Sequence, residues 1–128
     1  MVLAWDVPPD QEEPWRRLLQ ELSGSRYEQY AQSRRRLGIL SESVWLVPKP
    51  SGGGVAIICL EALDPERVLH ELGASNVPFD FWYSGAMRKL FGFDLARVAG
   101  AESGELLFAW RDGGPNNLPQ SKSGNESR

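Results

Sequence analysis

Leu40-Ser-Glu-Ser-Val-Trp-Leu-Val-Pro-Lys-Pro-Ser-Gly-Gly-Gly-Val-Ala-Ile-Ile-Cys-Leu-Glu61 is the stretch that decides the fold of this chain. It contains two runs rich in β-branched and aromatic residues, 40–47 and 55–61. Between them lie two prolines, a serine and three consecutive glycines, which are residues typical of turns. The stretch therefore predicts a β-hairpin in the middle of the chain.

Further elements are predicted on both sides of this hairpin. An apolar run at Val2–Val7 predicts an opening strand, which Pro8 and Pro9 would end. Helical patterns precede and follow the hairpin, and Glu105–Arg111 predicts a closing strand. The order strand, helix, strand, strand, helix, strand predicts an α+β, ferredoxin-like split βαβ domain with an antiparallel sheet. We expect this domain to span residues 1–111.

The predicted helices carry apolar stripes at helical spacing. The first stretch is interrupted at Ser23-Gly24-Ser25, so it predicts either one kinked helix or two helices that end near Gly38. A helix beginning at Asp64-Pro65 comes next, and the last helix is predicted to begin at Pro78 and end at Gly92. The stripes are Trp15, Leu18, Leu19, Leu22; Tyr27, Tyr30, Ala31, Arg34; and Phe79, Trp82, Tyr83, Ala86, Met87, Leu90.

Composition limits the function classes. A net charge of −3 over 128 residues supplies no electrostatic attraction for nucleic acid or for an anionic membrane. The single cysteine, Cys59, rules out an internal disulfide and a cysteine-cluster metal site, and we expect it to be a buried core residue. No run reaches the length of a membrane span, and the first residues lack the pattern of a signal peptide. We expect a soluble, cytoplasmic protein.

The last residues of the chain differ in composition from the rest. Residues 112–128 contain mostly Gly, Pro, Ser and Asn, with one leucine. Such a segment buries too little apolar surface to offset its ordering entropy, so we expect a flexible C-terminal tail.

Both faces of the predicted hairpin are largely apolar. Leu40, Glu42, Val44 and Leu46 alternate with Ser41, Ser43 and Trp45, and the second strand is apolar on both sides. Helices of a small domain can cover only one side of an antiparallel sheet, whereas a polar second side is usual in a monomer. The pattern therefore predicts a homodimer in which a second copy covers the other side.

Polar side chains on these apolar elements are the candidate site residues. A carboxylate on a buried sheet face is costly unless it is paired or protonated, so Glu42 and Glu61 are candidates for proton transfer. The alternative is that each pairs with an arginine or a backbone amide. Candidate pocket residues are Tyr27, Tyr30, Arg34, Trp45, Trp82 and Tyr83. Tyrosines on a helical stripe are more often core residues with a solvated hydroxyl, which is the alternative for these three.

Other catalytic and binding motifs are absent from the sequence. It contains no phosphate-binding loop, no dinucleotide fingerprint, no nucleophile elbow and no clustered metal ligands. His70 is expected to face solvent, on the side of its helix away from the apolar stripe. The Arg34-Arg35-Arg36 run suits a solvated helix C-terminus, with anion binding as the alternative. We expect neither a metal nor a cofactor.

A group of short motifs resembles a small, uncharacterised bacterial domain family, which is similar to the dimeric α/β-barrel superfamily. The resemblance covers about residues 2–111 and implies a homodimer with a pocket between helices and sheet, without an established activity. Tyr83 stands where the family often has histidine, which weakens an acid–base role there. The motifs are Trp15, Glu42–Trp45, Leu60–Ala62, Pro78–Trp82 and Leu106–Phe108.

Two functional hypotheses follow. The chain could bind or transform a small apolar or aromatic molecule, with Trp45, Trp82 and Tyr83 lining the pocket and Glu42 or Glu61 handling a proton. Alternatively, it could be a non-catalytic structural or regulatory dimerisation module. An RNA-binding domain of the same topology is disfavoured, because it needs exposed basic and aromatic residues on its central strands.

Overall fold

The computed structural model describes residues 1–92 and 104–113. Residues 1–92 contain a three-stranded antiparallel sheet and four α-helices. The α+β class predicted from the sequence is confirmed, and the first helical stretch is two helices. A short 3₁₀ turn at Pro9–Gln11 leads into the first of them. The elements in chain order are β1 (Val2–Val7), α1 (Glu12–Ser23), α2 (Tyr27–Arg36), β2 (Ile39–Pro48), β3 (Gly54–Ala62), α3 (Pro65–Ala74) and α4 (Pro78–Phe91).

The sheet has the strand order β1-β3-β2, with β3 antiparallel to both neighbours. The predicted hairpin is therefore formed by β2 and β3, while β1 occupies the other side of β3. Its loop depends on glycine, because Gly53 has a φ of 65° and a Cβ there would lie 2.2 Å from the carbonyl oxygen of Val7. The loop thus packs against the end of β1 and brings all three strands together.

Leu40 is displaced by a β-bulge at the start of β2. The register shifts between Ile39, which pairs with Ala62, and Ser41, which pairs with Glu61. Because Leu40 is the extra residue, it points to solvent with 62% of its surface exposed, whereas Ile39 is buried. The expectation that Leu40 shares a face with Glu42 is therefore wrong.

The predicted closing strand at Glu105–Arg111 is not formed. Residues 104–111 have no strand structure, and one backbone hydrogen bond, from the Gly104 amide to the Val2 carbonyl at 2.7 Å, ties this segment to the edge of β1. A ladder needs successive bonds of this kind. Four large side chains are consequently exposed: Leu106, Leu107, Phe108 and Trp110. The tail predicted from residue 112 lies outside the described residues apart from 112–113.

All core residues supplied by the strands come from one face of the sheet or, as with Ile39, from the bulged end of β2. On that face Trp5, Ala56 and Leu46 pair across the three strands. Helices α1 and α4 add their predicted apolar stripes, α2 adds Tyr30, and α3 adds Val68 and Leu72. The opposite face is called here the open face. It consists of Val2, Ala4, Asp6, Ser41, Ser43, Trp45, Val47, Val55, Ile57, Cys59 and Glu61. Cys59 is therefore half-buried on the open face, not in the core.

A polar cluster around Asp80 joins α2 to α4. Asp80 is fully buried in the first turn of α4, where its carboxylate accepts hydrogen bonds from Ser33 at 2.6 Å and Ser75 at 2.7 Å and pairs with Arg36. Burial works against the charged carboxylate, but these hydrogen bonds and the Arg36 charge together lower the pKa of Asp80. The cluster therefore stabilises the fold in its ionised form.

We expect Asp80→Asn to lower the free energy of unfolding at pH 7 by about 2 kcal/mol, less than for a fully buried ion pair because Arg36 is 41% exposed. Since folding lowers the pKa of Asp80, its stabilisation is present above the unfolded carboxyl pKa of about 4 and is lost as pH falls below it. Urea unfolding at pH 3 to 7 should show the difference from wild type shrinking below pH 4. The exposed Asp10→Asn variant is the control, and a pH-independent difference would contradict the prediction.

Candidate functional site

A cavity of about 300 Å³ lies between the helices and the core-facing side of the sheet. Its walls are mostly apolar, and it opens to solvent beside Ser23 and Tyr27, of which Tyr27 is 51% exposed. Helices α1, α2 and α4 and strands β2 and β3 all contribute to it. The lining residues are Trp15, Leu19, Leu22, Ser23, Tyr27, Tyr30, Glu42, Val44, Ile58 and Tyr83.

Glu42 is the charged residue in this lining. It occupies a core-facing position of β2, opposite Leu60 of β3, and its side chain is 7% exposed. One carboxylate oxygen, Oε1, accepts a hydrogen bond from the Tyr30 hydroxyl at 2.6 Å and another from Arg34 Nε at 2.8 Å. The carboxylate is therefore held in one orientation by two donors from α2.

Arg34 contacts both Tyr30 and Glu42 but does not itself line the cavity. Tyr30 and Arg34 are four residues apart in α2, so their side chains share one face of the helix. The guanidinium lies 4.6 Å from the centre of the Tyr30 ring and 5.2 Å from that of Tyr83, and it also donates to Ser33 Oγ at 3.3 Å. With 9% of its side chain exposed, Arg34 forms a buried ion pair with Glu42.

The pKa values of the neighbouring groups follow from this burial and pairing. Burial and the nearby Glu42 carboxylate raise the pKa of Tyr30, and burial raises the pKa of Tyr83 to about 12. Burial works against the charged form of Arg34, but the Glu42 carboxylate together with Tyr83 and Tyr30 outweighs burial and raises the pKa of Arg34. At neutral pH both tyrosines therefore keep their hydroxyl protons and Arg34 keeps its charge.

Five of the eight candidate site residues come together here. Tyr27, Tyr30, Glu42 and Tyr83 line the cavity, and Arg34 contacts three of them. The spacing of Tyr27, Tyr30 and Arg34 along α2 was the signal for their shared position. The apolar walls from α1 were predicted only as core, because a stripe of leucines does not distinguish a filled core from a cavity wall.

The other three candidates lie elsewhere. Trp45 and Glu61 belong to the open face, where Trp45 is 61% exposed and Glu61 is exposed and accepts a 3.3 Å hydrogen bond from Ser41. Trp82 packs against Phe79 with ring centres 5.6 Å apart and lies under the Arg26 guanidinium. The expectation that Glu61 is a buried carboxylate is therefore wrong, because it lies near the end of β3 on the uncovered side.

The arginine run at the end of α2 differs from a solvated terminus. Arg34 pairs with Glu42 and Arg36 pairs with Asp80, while Arg35 is exposed. His70 is exposed, as predicted. Within residues 1–92 and 104–113, no three His, Cys, Asp or Glu side chains cluster as metal ligands would, and no helix is long and apolar enough to span a membrane.

Comparisons with known proteins identify no relative: no family model, no curated protein and no solved structure matches the chain. The geometry of the site is therefore the basis for assigning a function.

Glu42→Gln should lower the free energy of unfolding by about 3 to 5 kcal/mol, because it leaves the buried Arg34 guanidinium without its counter-charge. Adding Arg34→Met in the same chain should recover much of the loss, since the uncompensated charge is then removed. Both effects are measured by urea unfolding in a double-mutant cycle.

The matched control is the exposed pair Arg67–Glu71 on α3, which is also a bonded arginine and glutamate. Glu71→Gln should change stability little, because water replaces the lost partner. Equal losses in Glu42→Gln and in the double variant would show that the Arg34 charge does not determine the cost.

Proposed function

We propose that the protein binds a small apolar or aromatic molecule in the cavity between its helices and its sheet. The observation that carries the proposal is a buried carboxylate, Glu42, at the wall of an otherwise apolar cavity. Ligand sites are typically of this kind, with apolar walls and a few fixed polar groups that orient the ligand. A volume of about 300 Å³ is at the small end of the usual range, so the ligand is about two fused rings or less.

The energetic cost of the polar group supports a role in recognition. A buried arginine–glutamate pair gives little stability compared with apolar residues of similar size. In this chain the pair lies beside a cavity, and Tyr30 adds a third polar group that keeps the carboxylate in place. We therefore assign the Tyr30, Arg34 and Glu42 group to ligand orientation.

If the protein also transforms its ligand, Glu42 is the residue that would accept a proton. It is the acidic side chain of the cavity lining, whereas Glu61 is exposed on the open face. A general base must lie within hydrogen-bond reach of the proton that it abstracts, which Glu42 meets for a ligand in the cavity.

We expect Leu19→Trp to abolish ligand binding while the fold is retained. Leu19 is a half-buried cavity wall residue, so the larger side chain fills the cavity rather than the close-packed core. The measurement is native mass spectrometry of the untreated purified protein. Wild type should carry a reproducible additional mass that Leu19→Trp lacks.

The control is Leu40→Trp, which places the same side chain at an exposed position away from the cavity and should keep the additional mass. Absence of any added mass in wild type, together with no binding of two-ring aromatic probes, would contradict the proposal.

We further propose that two copies pair through their open faces, as ferredoxin-like protomers do in a dimeric α/β barrel. The open face supports this, because Trp45, Val47 and Val2 expose 61%, 49% and 39% of their surface on one side of the sheet. The strand order β1-β3-β2 and the Gly104 bond at the edge of β1 are compatible with a ferredoxin-like sheet whose fourth strand would lie beside β1. The resemblance to the bacterial domain family has the same implication.

The open face also favours a second candidate function, a non-catalytic dimerisation module. In that case the cavity would have no ligand, and dimerisation through the open face would be the function. The two candidates differ in the mass that the wild-type protein carries. A ligand-binding protein loses its additional mass in Leu19→Trp, whereas a dimerisation module carries no additional mass in wild type or in any variant.

Trp45→Lys should convert the dimer to a monomer, because it places a charge within the apolar contact at its most exposed large side chain. Phe81→Lys is the matched control, since Phe81 is also an exposed aromatic residue (72%) but lies on α4. Sedimentation velocity over a concentration series measures both. A wild-type monomer at every concentration would overturn the dimer.

A further inference from the structure

The second oxygen of Glu42, Oε2, is a hydrogen-bond acceptor that the protein itself leaves available. Tyr30 and Arg34 both donate to Oε1, and no donor within the described part of the chain bonds to Oε2. The Glu42 side chain is only 7% exposed and lies in the cavity lining. Oε2 keeps some accessible surface, so it is a strong acceptor for a donor that enters the cavity.

Arg34 does not present its charge to the cavity. Its Nε bonds to Glu42, one terminal nitrogen bonds to Ser33, and its guanidinium carbon lies 4.6 Å and 5.2 Å from the ring centres of Tyr30 and Tyr83. Arg34 is also absent from the residues that line the cavity. An anionic ligand would therefore meet the Glu42 carboxylate first and would find no free cation beside it.

We infer that the ligand is a hydrogen-bond donor, a small aromatic or aliphatic molecule whose hydroxyl or amino group bonds to Glu42 Oε2. The inference rests on the proposed binding function and specifies the class of ligand for the same cavity. The apolar body lies against Leu19, Leu22 and Ile58, and the donor group points to β2. Carboxylates and phosphates of the same size are excluded by charge.

The test uses four probes with the same two-ring body and different polar groups. These are 2-naphthalenemethanol, 2-naphthylmethylamine, 2-methylnaphthalene and 2-naphthoate, titrated into the full chain and followed by the amide NMR signals of residues that line the cavity. We expect the alcohol and the amine to bind about tenfold or more tightly than 2-methylnaphthalene, which is the effect of one hydrogen bond to a charged group. The naphthoate should bind most weakly.

Two variants identify the acceptor. Tyr30→Phe should keep the preference for donors, because the Tyr30 hydroxyl bonds to Oε1 and not to Oε2. Glu42→Gln should lose the preference for the amine and gain affinity for the naphthoate, since the side-chain amide can donate and the Arg34 charge is no longer balanced. If Glu42→Gln does not fold, the probe series on wild type and Tyr30→Phe still decides the inference.

The outcomes separate the two levels of the proposal. Equal affinity for all four probes, or the tightest binding by the naphthoate, would overturn the donor inference and leave the binding function intact. A preference for donors that disappears in Tyr30→Phe would also overturn it, because Tyr30 would then be the contact. No binding of any probe to wild type would remove both.

Discussion

The ion pair between Arg34 and Glu42 is the interaction on which the rest of this site depends. It joins the last turn of α2 to the first half of β2, and the ring of Tyr83 brings α4 to the same point. A buried charge with one fixed partner has few alternative arrangements, because any other position leaves a charge unpaired in a low-dielectric interior. The pair therefore fixes where α2 lies on the sheet, and the cavity is the space that this position leaves beside α1.

Helix α2 is unusual in what it buries. Its buried residues are Ser33 and Arg34, whereas those of α1 are Trp15, Leu18 and Leu22. The hydrophobic effect holds α1 in place, but α2 is held by two carboxylates, Glu42 on the sheet and Asp80 on α4. Because ion pairs are directional, the orientation of α2 is determined more narrowly than apolar packing alone would require. This suits a helix that supplies the polar wall of a cavity.

Sequence patterns predicted local features well and contacts between distant segments poorly. The hairpin, the helix ends at Gly38 and Gly92 and the apolar stripes depend on neighbouring residues, so periodicity and turn chemistry were sufficient. Spacing also placed Tyr30 and Arg34 on one face, but it could not show that Glu42 was their partner rather than Glu61. The bulge at Leu40 and the unformed closing strand were missed because strand register and edge pairing depend on the whole sheet. The burial of Asp80 could not be read from its own helix, because its partners Ser33 and Arg36 lie on α2.

Strand β2 serves both faces of the sheet, and this relates the cavity to the open face. Glu42 and Trp45 are three positions apart, an odd number, so they project to opposite sides of the same strand. A substitution on one side leaves the side chains of the other side in place, provided that the backbone register is kept. The proposed ligand binding and the proposed self-association can therefore be altered separately in this chain, although residues of one strand carry both proposals. The bulge at Leu40 lies just before Glu42, and by ending the regular register there it sets which residues of β2 face the core.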